Sequence, residues 1–223
     1  MINEDGIVIG EITRPDAELT VRLSTHTPAT ISNPGSLGAS AALAPGAIAP
    51  LAPGMRLLGP VVTVQLDHVE HLTPLTAATI AEPGDVLLIA AGGGVEVGTW
   101  GHGLCLAAEA SGVAGVVVDG AVVNKAELLE MGMPTFSRGA SSVTGGWDGG
   151  GQINVPVTIG GVVVHPGDIL IGDADGVVVV PAHKLRATVE LAERQEAEVE
   201  RRRGLLSAGT PLLEVVRASR AAS

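Results

Sequence analysis

At 223 residues the chain is long enough for one sizeable core, and no charged or low-complexity linker divides it, so residues 1–223 read as a single domain with a helical tail. Thirteen lysines and arginines stand against 24 aspartates and glutamates, and the formal net charge of −11 excludes a basic groove for nucleic-acid phosphates. Aromatic residues make up only 1%, so the core has to be packed from small aliphatic side chains between close backbones, which favours a strand-rich α/β fold.

Residues 1–23 mix short apolar runs with charges and Pro15, as in a peripheral helix or extended arm. Glu4, Asp5, Glu11 and Asp16 make this stretch unlike a signal peptide, and no apolar run reaches transmembrane length, so a cytoplasmic protein without a membrane partner is expected. Residues 24–53 are rich in Pro, Ala, Ser and Gly. The spacing of Ile31, Leu37, Leu43, Ile48 and Leu51 nonetheless suggests that the irregular N-terminal segment, 1–53, is laid over a core. The first strand is MRLLGPVVTVQL, 55–66, with Gly59-Pro60 as a bulge or edge feature. A polar interruption follows at 67–73, then a helix over 76–80, an EPGD turn and the strand VLLIA, 86–90, which together make a crossover connection.

Gly92 to Lys125 carries the candidate site. GGG and GTWGHG suit a backbone that approaches a ligand closely, a short helix covers 104–110, and the β-branched run 113–118 is a strand buried on both faces. Asp119-Gly120 is expected to turn the chain out of that strand. Loops at the end of a buried strand, beside a helix N-terminus, are where α/β proteins hold ligands. Cys105, the single cysteine, reads as a small core residue, with a catalytic thiol as the minority alternative. A helix at 126–131 and a strand from Pro134 come next, then TGGWDGGG, 144–151, a mobile-looking loop around Trp147. GG, PGD and DADG turns separate the apolar runs of 154–181, a pattern of antiparallel hairpins in which Asp173 and Asp175 serve a turn. Lys184 to Leu206 (184–206) is one amphipathic C-terminal helix, whose Arg201 to Arg203 are expected to form ion pairs with its glutamates.

In order along the chain, LLGPVVTV (57–64), EPGDVLLI (82–89), WG with AAEASGVAGVVVDGAV (100–122), AELLEMGMPTFSRG (126–139) and NVPVTIGGVVVHPGDILIGDADGVVVVP (154–181) resemble one family. It includes the regulator of RNase E activity A and the 4-hydroxy-4-methyl-2-oxoglutarate/4-carboxy-4-hydroxy-2-oxoadipate aldolases. The resemblance implies a three-layer β/β/α fold like a phosphohistidine swivelling domain, in homo-trimers or hexamers with sites at subunit interfaces. It also implies a small-molecule substrate and a divalent metal, Mg2+ or Mn2+, that holds a pyruvyl group as its enolate. In the aldolases the strand-closing Asp-Gly is followed two residues later by Arg-Asp, of which the Arg binds the 2-oxo acid and the Asp serves the metal. Here Asp119 and Gly120 survive, but Val123 and Asn124 stand in the other two positions.

Val123 offers nothing in place of a bidentate guanidinium, and Asn124 lacks the charge a hard cation prefers. Asp119 and Asn124 are the candidates for a hard divalent cation, and weakened or absent metal dependence is expected. Backbone groups at Gly101, Gly103 and Leu104, with Asn124, Lys125 and Trp147, are the candidate substrate contacts. His71 and His102, with Glu70, form a candidate acid/base set that moves protons without a metal, or equally a His/carboxylate site for a softer metal such as Zn or Fe. His26, His165 and His183 lack such a context and read as structural. Glu196, Glu198 and Glu200 bracket the region from which the aldolases send a glutamate to a neighbouring subunit. Three functions stay open: a divergent lyase or isomerase on a small carbonyl compound, a retained metal-dependent retro-aldol or oxaloacetate decarboxylase activity, and a non-catalytic regulatory or binding protein.

Overall fold

A computed structural model of the chain describes residues 1–32 and 40–221, with side chains described as far as 218, so Leu37 lies outside the described residues. The N-terminal segment contains β1 (Val8–Ile9), α1 (Ala17–Arg22), α2 (Pro28–Ile31), β2 (Ala41–Ala42) and β3 (Ala49–Pro50). Ile31, Leu43 and Ile48 are buried, as their spacing predicts. Then follow β4 (Leu57–Gln65), α3 (Leu72–Ile80), β5 (Val86–Ala90), β6 (Gly98–Trp100), α4 (His102–Ala110), β7 (Gly115–Val122), α5 (Lys125–Met131) and β8 (Thr135–Ala140). Next come β9 (Gln152–Ile153), β10 (Val157–Ile159), β11 (Val162–Val164), β12 (Ile169–Asp173), β13 (Gly176–Val180), α6 (Leu185–Ser207) and α7 (Leu212–Ala221).

Strands β4, β5, β7 and β8 pair in parallel, the arrangement that the crossover pattern predicts. Two antiparallel hairpins, β10–β11 and β12–β13, fall where the tight turns are, and Asp173 accepts the Asp175 N–H at 2.9 Å as a turn residue. The first half of β4 pairs with β12 and the second half with β5, and the change of partner falls at Gly59-Pro60. A Cβ at Gly59 would stand 2.1 Å from the Gly84 carbonyl oxygen, so only glycine lets the EPGD turn cross this strand so closely.

Alternate residues of each strand feed two different cores, one on each face of the sheet. Val62, Val64, Leu87, Ile89, Val116, Val118 and Val122 point to one face, where they meet Ala77, Ala78, Leu104, Cys105, Ala108 and Leu128 of α3, α4 and α5. Val61, Val86, Leu88 and Val117 point the other way and meet Phe136, Leu170, Val177 and Val179 in an interior between the two β layers. Ile169, Ile171, Val178 and Val180 face outward again, onto Leu19 of α1 and Leu185 and Val189 of α6. The result is a mixed α/β fold with a curled sheet and a C-terminal helix, with helices on both outer faces. Along α6, Arg201 and Arg202 pair with Glu198 and Arg203 pairs with Glu200, as expected of a solvated helix face. Helix α7 was not foreseen. Among the described residues, no helix is long and apolar enough to cross a membrane.

Two expectations are corrected. Asp119-Gly120 does not turn the chain: β7 runs on through both residues to Val122, because β6 supplies a new partner, Gly98 against Ala121 and Trp100 against Val122. Pairing to a neighbouring strand outweighs the local turn preference of Asp-Gly. The glycine loop around Trp147 is tied down at both flanks, by Gly98 N–H to Val143 O (2.8 Å), His71 N–H to Gly146 O (2.9 Å) and Gly151 N–H to Thr73 Oγ1 (3.3 Å).

Cys105 is fully buried on α4, with its thiol 3.6 Å from the Met133 sulfur, and burial pushes its pKa up to about 11. A thiol so protected is a packing residue. It should react with a disulfide reagent such as Ellman's reagent at pH 8 only at the rate of unfolding, and immediate reaction of the folded protein would contradict this placement. Because the folded thiol holds its proton to higher pH than the unfolded one, its contribution to stability is full below about pH 9 and declines as pH rises toward 11.

Candidate active site

A cavity of about 140 Å³ is lined by His71, Gly101, His102, Gly103, Leu104, Val123, Asn124, Thr144 and Trp147. Seven of these come from the sequence reading: His71, His102, Gly101, Gly103, Leu104, Asn124 and Trp147. Two larger clefts elsewhere offer less chemistry. The one of about 440 Å³ beside Met131–Pro134 is lined mainly by apolar and glycine residues. In another, of about 660 Å³, the Asp168 carboxylate near His165 and His183 is already engaged by the His165 and Ala182 N–H groups.

Helix α4 opens into the cavity at its N-terminus. Gly101 is the N-cap and provides no side-chain bond, and the first helical bond runs from Cys105 N–H to Gly101 O. The amides of His102, Gly103 and Leu104 thus have no intrahelical acceptor, and with the helix dipole they make a donor cluster for an anion or a polarised carbonyl oxygen. Val123 forms the facing wall. A Cβ at Gly101 would stand 2.6 Å from Val123 Cγ2 and 3.2 Å from Asn124 Oδ1, so wall and helix start touch only because residue 101 is glycine. Asn124 follows with φ +54°, a left-handed conformation that asparagine tolerates, and starts α5.

His71 lies just before α3 and is 3% exposed. Its Nδ1 is 3.0 Å from Thr99 O, which can only accept, so Nδ1 carries a proton and Nε2 of the neutral ring is an acceptor. Thr144 Oγ1 lies 2.7 Å from that Nε2. The Trp147 ring stands 5.2 Å from the imidazole, tilted by 45°, and is itself 58% exposed. His102, the first residue of α4, is exposed at the mouth, and its side chain makes no hydrogen bond to another described residue.

The RraA-like family profile, described as Aldolase/RraA, matches residues 28–179. The chain belongs to the RraA-like family. This RraA-like protein is 36% identical over 160 residues to "Putative 4-hydroxy-4-methyl-2-oxoglutarate aldolase" of Halalkalibacterium halodurans, covering 72% of this chain and 76% of that one. Among solved structures it is similar to RraAS2 of Streptomyces coelicolor, an unusual member of the RNase ES inhibitor RraA family (31% identity, TM-score 0.77, 86% of this chain and 99% of that one). It is also similar to a protein of Pseudomonas syringae pv. tomato (26% identity, TM-score 0.81, 94% and 97% covered).

The remaining sequence candidates of this RraA-like protein lie outside the cavity lining. Glu70 is 1% exposed, and its carboxylate accepts the N–H groups of Leu72, Thr73 (3.0 Å) and Gly149 (3.3 Å), so it caps α3 and ties the glycine loop to it. Lys125 is exposed at the start of α5. Asp119 is 5% exposed and ion-paired to the Nε of Arg138. His68 is on the surface near Asp148, and His26 is buried against Glu196 at 3.2 Å.

The donor set does not fit a hard divalent cation held within one chain. Asp119 is taken by Arg138, Asn124 is neutral, and among the described residues no three His, Cys, Asp or Glu side chains gather to hold an ion. Sequence reading missed two members of the site. Thr144 is separated from His71 by 73 positions, so no local pattern links them, and Thr99 acts through its carbonyl, which no side-chain motif reveals.

Proposed function

We propose that this RraA-like protein is a lyase or isomerase acting on a small carbonyl compound of the 2-oxo-acid type, with proton transfer by His71 and His102 and reduced or no dependence on a divalent metal. The observation that carries this reading is the gathering of a buried, doubly hydrogen-bonded imidazole and an uncapped helix N-terminus at one cavity. The amides at Gly103 and Leu104 would stabilise the oxyanion that develops when a proton leaves the carbon next to the carbonyl. Asn124 and Trp147 would orient the substrate, with Lys125 near the mouth, and Glu70 would hold His71 in place through its backbone. The trimeric or hexameric assembly expected of the family belongs to the same proposal, as does a site open toward a neighbouring subunit.

The test uses pyruvate as the probe in D2O, with the methyl proton signal followed by NMR. Chelator-treated protein should exchange the methyl protons well above the buffer rate. Exchange no faster than buffer would sink the enzymatic reading. It would favour a non-catalytic regulatory role, for which the likeness to an RNase ES inhibitor is the supporting observation.

A further inference from the structure

His71 has the chemistry of a general base and borders the cavity, but both of its ring nitrogens are already engaged. The ring is 3% exposed, Nδ1–H is committed to the Thr99 carbonyl at 3.0 Å, and the Nε2 lone pair meets Thr144 Oγ1 at 2.7 Å. Trp147 stands beside the ring. Thr144, by contrast, is exposed and lines the cavity together with the α4 N-terminus. Its hydroxyl has one other acceptor within reach, Gly145 O, at 3.5 Å, so the bond to His71 is the shorter and better one. A hydroxyl held by a base that is itself oriented by a third group is the arrangement by which a side-chain oxygen gains or loses a proton easily.

We propose that Thr144 is a catalytic residue of this site: its hydroxyl relays the proton between the bound carbonyl compound and His71 Nε2. The inference rests on the carbonyl-substrate reading given above. In the forward step the C–H bond next to the carbonyl breaks and its electron pair moves into the new C=C bond, while the carbonyl π pair moves onto oxygen beside the α4 amides. The released proton bonds to Thr144 Oγ as the proton already on Oγ passes to His71 Nε2. The ring then carries protons on both nitrogens, Thr144 is unchanged, and the total charge is conserved. Reprotonation runs the same path backward. No oxidant, reductant or further reactant enters.

The experiment compares wild type, Thr144→Ser and Thr144→Val in the pyruvate proton–deuteron exchange. Serine keeps the hydroxyl and is expected to exchange within about threefold of wild type, whereas valine, of nearly the same shape, should lose about 10²-fold or more, the scale of a lost proton-transfer group. Native circular dichroism of the valine variant separates lost chemistry from lost folding. If it is unfolded, exchange by folded Thr144→Ala replaces it in the comparison. A folded variant without the hydroxyl that exchanges at the wild-type rate overturns the relay and leaves the carbonyl reading standing. Wild-type protein that does not exchange overturns both. A ¹⁵N spectrum at pH 8 gives an independent check: the relay requires neutral His71 with its proton on Nδ1, and a ring protonated on Nε2 instead would refute it.

Discussion

Replacing His71 by alanine is expected to slow the pyruvate exchange by about 10²–10⁴-fold, the contribution typical of a positioned acid or base. The ring has a fixed tautomer and orientation because Thr99 O accepts from Nδ1 while Thr144 meets Nε2. In the proposed relay its removal takes away the end point of the proton path, whereas the His102 side chain, exposed and without a partner among the described residues, is oriented by nothing, so His102→Ala should cost less. Leaving the Thr99 carbonyl without its donor also destabilises the fold, by about 1–3 kcal/mol. A urea titration measures that loss separately. Exchange by folded His71→Ala within a few-fold of wild type would remove the imidazole from the mechanism.

The double substitution Val123→Arg with Asn124→Asp should act in the opposite direction and bring metal affinity into the site. Val123 packs its methyl groups over Gly98 and Gly101, where a Cβ would stand 2.5 and 2.6 Å from them. A longer side chain leaving the same backbone position has the open cavity ahead of it. An arginine there supplies charge-assisted hydrogen bonds to a carboxylate, each about 1.5–3 kcal/mol, so affinity for a 2-oxo acid should rise by at least tenfold. The new aspartate adds the charged oxygen that Mn2+ prefers. Isothermal titration with Mn2+ should therefore show binding at least about tenfold tighter in the double variant than in wild type, each charged ligand raising affinity for a hard cation. Wild-type protein that binds Mn2+ at micromolar strength would show that the donor set has been misjudged.

The strands were legible because unbroken apolar runs such as VLLIA are bounded by turn residues, whereas the layering came from the family resemblance: odd and even positions of VLLIA go to different cores, and small branched side chains can fill either. The helix start after Trp100-Gly101 was legible for a similar reason, since it depends on neighbours in the chain. Asp119-Gly120 misled because Asp-Gly is a turn only where no strand offers pairing, and β6 offers it. Glu70 has a structural use that its type alone does not reveal. Its type suits acid/base work, yet the same carboxylate oxygens satisfy backbone N–H groups at the start of α3, a use that becomes visible only when the helix boundary moves from residue 76 to residue 72. Thr144 was invisible because its importance lies wholly in a contact made across the fold.

The capping bonds of Glu70 divide the labour within the cavity. Leu72, Thr73 and Gly149 are fastened to one carboxylate, so the imidazole at position 71 is mounted on the frame of the protein itself. Asn124 is different: it is exposed, between β7 and α5, and next to Val123, whose N–H donates to Trp100 O at 2.8 Å while its side chain packs on two glycines. If the proposed proton transfer holds, substitutions on that side should alter which molecule is accepted with little disturbance to His71.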